Sequence, residues 1–227
     1  MKIAVAGCSV SDYTEVDKVY GELLAERIGA EYIHEGAGCG SNYRIWRRIT
    51  GHVMNGTITP DDIVIIQYTE ITRDEFWSSY VPPDKKDRYD GIGKIELREK
   101  FDNGDIIRWK TLQYGRNATE YNFLKLKEEH FTNIKFCEEK FATNHYAFHN
   151  MLINKGIKVV YFSPAGAMHG YGQRQIDYYN KNDEIIISPY INNGSEKLLP
   201  DDCHFSQYGH ICMAEKLEKE LRSRGLI

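Results

Sequence analysis

A serine hydroxyl is a poor nucleophile at neutral pH unless an imidazole takes its proton. That imidazole in turn needs an acceptor on its other nitrogen, which fixes the tautomer and steadies the cation. Residues able to play these parts stand at the two extremes of this chain. Ser9 lies in "AGCSVSD", residues 6–12, directly after the short apolar run "KIAVA". Asp201 and His204 lie in "PDDCHFSQYGH", residues 200–210, just ahead of an amphipathic stretch. Asp-x-x-His packs base and orienter into one turn of chain, and this register favours Asp201 over its neighbour Asp202. The small residues around Ser9 also admit a phosphate-binding turn. That reading fails on two counts: "GCSVSD" lacks the lysine and glycine spacing of a phosphate cradle, and Asp201 and His204 are left without a task.

Cys8, Cys39 and Cys203 fall in the same loops as these residues. Thiolates and an imidazole are zinc ligands, but the spacing matches no zinc motif, so the reading is small-residue packing and no metal. His145 sits on a buried stripe and reads as a packed, hydrogen-bonded histidine. His210 is expected on the exposed side of the last helix, and Ser11 is expected to cap a helix or turn. Arg44, Arg47 and Arg48 are the densest basic cluster and read as a solvated helix face.

The elements that must position these groups follow from periodicity. "KIAVA" (2–6), "AEYIHEG" (30–36), "DDIVIIQY" (61–68), "IKVVYFSP" (157–164) and "DEIIISPY" (183–190) read as buried parallel strands. Helical faces are expected over 16–28, 42–54, about 123–154 and 206–222; in the last, Ile211, Ala214, Leu217 and Leu221 point inward. The order β-α-β-α-β with short loops is that of a parallel sheet covered on both faces. In such a sheet the ligand crevice lies outside the carboxyl ends of the strands, where these loops converge. Residues 74–120 break the rhythm and read as an irregular insertion, with a hairpin around "FDNGD". The chain is expected to form one domain, 1–227.

Composition narrows the partners. A net charge of −4 with scattered basic residues carries no nucleic-acid footprint. No apolar run approaches a membrane span. Five cysteines without CxxC spacing form no disulfide framework, and "MKIAVAG" leaves no room for a signal peptide. A reducing, cytoplasmic setting is the expectation. The oligomeric state is left open.

With "GCSVS" near the start, the Gly-rich "EGAGCGSN" after the second strand and "DDCHFSQYGH" near the end, the chain resembles the SGNH hydrolases, the GDSL-type esterases and lipases. The resemblance implies a flavodoxin-like three-layer α/β/α sandwich with a five-stranded parallel sheet and no cofactor. It implies Ser9 as nucleophile and Asp201 and His204 as its partners. The oxyanion hole implied is the Ser9 amide, a glycine amide from Gly38 or Gly40, and an asparagine side chain in the third block. Two departures stand out: Cys8 replaces an Asp, and the third block reads "QYTEITR" (67–73), with Thr69 near the Asn position. Losing one oxyanion donor typically costs about 10²–10³ in turnover. Thr69, Asn42 or Gln67 is the expected substitute, with Thr69 and Asn42 favoured. Arg73 is a candidate for an anionic substrate group. The implied activity is hydrolysis of a small acyl ester, carbohydrate O-acetyl groups included. Acyl transfer by the same triad, and a catalytically impaired saccharide- or protein-binding module, are the alternatives.

Overall fold

Why four short apolar runs become one sheet is visible in their burial. The computed structural model describes residues 1–13, 16–37, 40–69, 74–78, 95–101, 104–109, 134–162 and 204–227. Strands β1 (Lys2–Gly7), β2 (Glu31–Gly36), β3 (Ile63–Gln67) and β7 (Lys158–Phe162) pair in the order β2-β1-β3-β7, every pair parallel. All five residues of β3 are buried, as a central strand covered on both faces requires. The described sheet therefore has four strands; the fifth expected strand, 183–190, lies outside the described residues.

Alternation along each strand divides the core into two halves. Ala4, Ala6, Val64, Ile66, Val159 and Tyr161 face one side, against Ile45 and Ile49 of helix α2 (Asn42–Met54) and Phe141, Phe148 and Leu152 of α3 (Ile134–Asn154). Ile3, Val5, Ile63, Ile65, Val160 and Phe162 face the other, against Leu24 of α1 (Tyr20–Ile28) and Met213, Leu217 and Leu221 of α4 (Gln207–Ser223). The result is a helix–sheet–helix sandwich with β1 in its interior.

Several boundaries differ from expectation. Helix α1 begins at Tyr20, not Val16, because the Gln207 carboxamide captures the backbone before it. Gln207 Oε1 accepts from the Asp17 and Lys18 amides at 3.0 and 3.1 Å, and its Nε2 donates to the Lys18 carbonyl at 2.9 Å. Val19 is accordingly extended, with φ −87° and ψ 158°. Residues 123–133 of the expected long helix lie outside the described set. Ile211 of α4 is 38% exposed, and its expected inward place goes to His210 and Met213.

Within 74–120 the chain is more regular than expected. Strands β4 (Asp74–Ser78), β5 (Ile95–Phe101) and β6 (Gly104–Trp109) form an antiparallel sheet in the order β4-β6-β5. The expected hairpin is the β5–β6 pair, closing from Phe101 opposite Gly104.

Candidate active site

Strand β1 ends at Gly7, and the chain turns at once into a single 3-10 turn, Ser9–Ser11. The Ser11 amide donates to the Cys8 carbonyl at 2.9 Å and the Asp12 amide to the Ser9 carbonyl at 3.2 Å. This tight turn leaves Ser9 half-buried at the carboxyl edge of the sheet. From the other end of the chain, His204 arrives two residues before Ser206, whose hydroxyl caps α4 by accepting from the Gly209 amide at 3.1 Å. His204 Nε2 and Ser9 Oγ stand 2.6 Å apart, across 195 residues of sequence. That is hydrogen-bond contact between a hydroxyl and the nitrogen that would accept its proton.

Asp201 lies outside the described residues, as do Gly38 and Arg73. The other expected donors are described, and Gly40, Asn42 and Gln67 already have partners. The Gly40 amide donates to the Ala37 carbonyl at 2.9 Å, closing a turn in the second loop. Asn42 does not cap its helix; Ser41 does, accepting from the Arg44 amide at 3.1 Å. Asn42 instead clasps the backbone of Thr69: its Oδ1 accepts from the Thr69 amide at 2.9 Å and its Nδ2 donates to the Thr69 carbonyl at 3.1 Å. This reciprocal pair joins the start of α2 to the loop after β3. Among the described residues the Ser9 amide makes no hydrogen bond.

Gln67 is wholly buried and faces the Ser9 turn from beneath, with no exposure to a substrate. Its Oε1 accepts from the Cys8 amide at 3.2 Å and from Ser11 Oγ at 2.6 Å. Its Nε2 donates to the Tyr68 carbonyl at 3.1 Å and to Cys8 Sγ at 3.0 Å. It is therefore not the substitute oxyanion donor. Ser11, expected as a cap, gives its proton to this carboxamide and accepts from the Tyr20 hydroxyl at 2.6 Å. Burial pushes the Tyr20 phenol far above its ordinary range, so it remains a donor.

His210 is buried, contrary to its expected exposed position. Its Nδ1 accepts from the Tyr20 amide at 3.0 Å and its ring stacks on Tyr20 at 5.9 Å. Burial, and secondarily the neighbouring His204, lower its pKa to about 4. His145 is buried as expected, its Nδ1 hydrogen-bonded to the Tyr68 hydroxyl.

The arginine cluster is not simply a solvated face. Arg48 clamps Glu35 at both oxygens, at 2.7 and 2.6 Å, and His52 Nε2 meets Glu35 Oε1 at 2.6 Å. Arg44 Nη1 donates to the Glu35 carbonyl at 2.6 Å. Burial alone would raise the Glu35 pKa, but the Arg48 and His52 hydrogen bonds and the Arg44 charge outweigh it and lower it. This cluster ties the end of β2 to α2 and so brackets the second site loop. Its one sequence signal is a charged residue, Glu35, at the inner end of a strand. For Gln67 the signal is an amide closing an otherwise apolar strand, since a buried amide demands partners.

A parallel sheet between helix layers, with a serine after its first strand touching a histidine before its last helix, defines an α/β sandwich. No model of a known protein family matches the sequence, and no curated protein does. Solved structures do match. One is a candidate lipolytic protein of the G-D-S-L family from Desulfitobacterium hafniense, with a TM-score of 0.55 and 11% identity over 96% of this chain and 98% of that one. Another is the protein YXIM of Bacillus subtilis, with a TM-score of 0.54 and 12% identity over 99% of this chain and 56% of that longer one. This chain thus shares its fold with a structure described as a G-D-S-L family protein. No described helix is long and apolar enough to cross a membrane.

Proposed function

We propose that this protein is a serine esterase that cleaves a small acyl ester through an acyl-enzyme. The observation that carries the reading is the 2.6 Å contact between Ser9 Oγ and His204 Nε2. Ser9 attacks the carbonyl carbon while His204 takes its proton at Nε2. Asp201, three residues upstream of His204, holds the imidazole and stabilises its charged form. The developing oxyanion is met by the Ser9 amide, with Gly38 in the second loop as the next donor. Thr69, held by Asn42, supplies its hydroxyl at the position where the asparagine of related folds is absent. His204 then returns the proton to the leaving alcohol, and a water repeats the sequence to release the acid. Acyl transfer differs only in that a second alcohol replaces that water. Arg73 is placed by sequence to meet an anionic substrate group. Carbohydrate O-acetyl esters belong to the proposed substrate class.

A second reading, a binding module without turnover, is favoured by the same third loop, where threonine stands in place of asparagine and Gly40 and Asn42 already have partners. One experiment separates the two. Hydrolysis of p-nitrophenyl acetate, and covalent labelling by a fluorophosphonate, are expected in the native protein. Ser9→Ala should abolish both, and His204→Ala should reduce turnover by at least about 10³-fold. Equal rates in all three proteins, with no labelling, leave the binding module as the reading.

A further inference from the structure

We propose that Gln67 is the positioning residue of the nucleophile turn: one carboxamide, wholly buried under Ser9, sets where the Ser9 hydroxyl stands relative to His204. The inference rests on the esterase reading only for its kinetic consequence; its geometric content stands apart.

A short turn that presents a nucleophile must be held at both ends, because its own hydrogen bonds fix its shape but not its tilt on the sheet. Here both ends converge on a single atom. The Cys8 amide precedes Ser9 and the Ser11 hydroxyl follows it, and both donate to Gln67 Oε1, at 3.2 and 2.6 Å. A backbone amide only donates, so the carboxamide oxygen must face it. The nitrogen then faces the Tyr68 carbonyl and Cys8 Sγ, at 3.1 and 3.0 Å. Orientation of the amide is thereby determined by its neighbours, and every bond it makes runs to the Ser9 turn or to the strand that carries it. The Tyr20 hydroxyl closes the set by donating to Ser11 Oγ, which anchors the turn to α1 as well.

The space for this arrangement is made by Gly7. A Cβ there would lie 2.3 Å from Ser11 Oγ and 2.6 Å from Gln67 Oε1. Gly7, Ser11 and Gln67 are therefore one matched unit, assembled from residues at the ends of adjacent strands β1 and β3. A displacement of about 1 Å at a reacting atom can cost about 10²-fold in rate, so loss of this support should show in the chemical step and not in binding.

The test uses the full chain with 15N-labelled histidine. In Gln67→Leu, similar in size and without polar atoms, the His204 ring nitrogens are expected to move toward the shifts seen in Ser9→Ala, as their contact with the hydroxyl loosens. Turnover and fluorophosphonate labelling should fall by about 10²-fold with KM held. A folded Gln67→Leu protein whose His204 resonances match the native protein overturns the proposal. If Gln67→Leu does not fold, Ser11→Ala decides. It removes one of the two tethers and should move the same resonances partway and slow labelling by about tenfold; native resonances there overturn the proposal equally. A native protein with no hydrolysis or labelling removes the esterase reading, yet the histidine resonances still judge Gln67.

Discussion

The proposed reaction makes His204 transiently cationic, a step that a second cation beside it would oppose, and His210 feels the charge of His204. His210 is kept neutral by burial first and by its neighbour second, with a pKa lowered to about 4 from 6.5. It serves as an acceptor for the Tyr20 amide and a stacking partner, both of which favour the uncharged ring. The depressed value has a sign for stability. The unfolded chain binds a proton at His210 between pH 6.5 and about 4 that the folded chain refuses, so stability is lost as pH falls through that window. The expected loss is on the order of 3 kcal/mol at most. Urea unfolding across that range should show it, and His210→Gln, which retains an acceptor, should flatten the dependence by about one proton.

Among the elements, β2 and α2 are joined by an ionic hub. Glu35 is 3% exposed and receives Arg48, Arg44 and His52 together. Breaking such a cluster from its centre strands like charges in a low-dielectric site, so Glu35→Gln should cost about 3 kcal/mol in chemical unfolding. Protonation acts in the same direction: the lowered Glu35 pKa means that its stabilisation is full above 4.5 and fades as pH falls further. The Glu35 loss begins only near the bottom of the His210 window, so the fall between pH 6.5 and 4.5 reports His210 alone of the two. None of these partnerships was legible in the sequence. Arg44 and Arg48 show a basic helix face, and only the tertiary placement of Glu35 turns them inward. The start of α1 was misplaced for the same reason, since the carboxamide that holds Asp17 and Lys18 extended comes from Gln207, about 190 residues away. What was legible is what repeats locally. The unbroken apolar runs of β1, β3 and β7 announced buried parallel strands, and Ser9 and His204 announced each other by side-chain chemistry.

Across the whole molecule, the sheet has two apolar faces, and each is covered by helices from opposite halves of the chain. The face formed by Ile3, Val5, Ile63 and Ile65 depends on Leu217 and Leu221 of α4. Leu217 is fully buried, and Leu217→Ala should lower unfolding stability by about 3 kcal/mol. Thermal and chemical melts should move together, since α4 also delivers His204 and cannot loosen alone. The 195-residue separation of Ser9 and His204 has a further consequence in time. During synthesis at about 5–20 residues per second, Ser9 is made roughly 10–40 s before His204. Throughout that interval the nascent chain has an apolar sheet face without α4 and a Ser9 without His204. In the proposed reaction a chain stalled before residue 204 lacks the partner of Ser9 and is expected to be chemically silent.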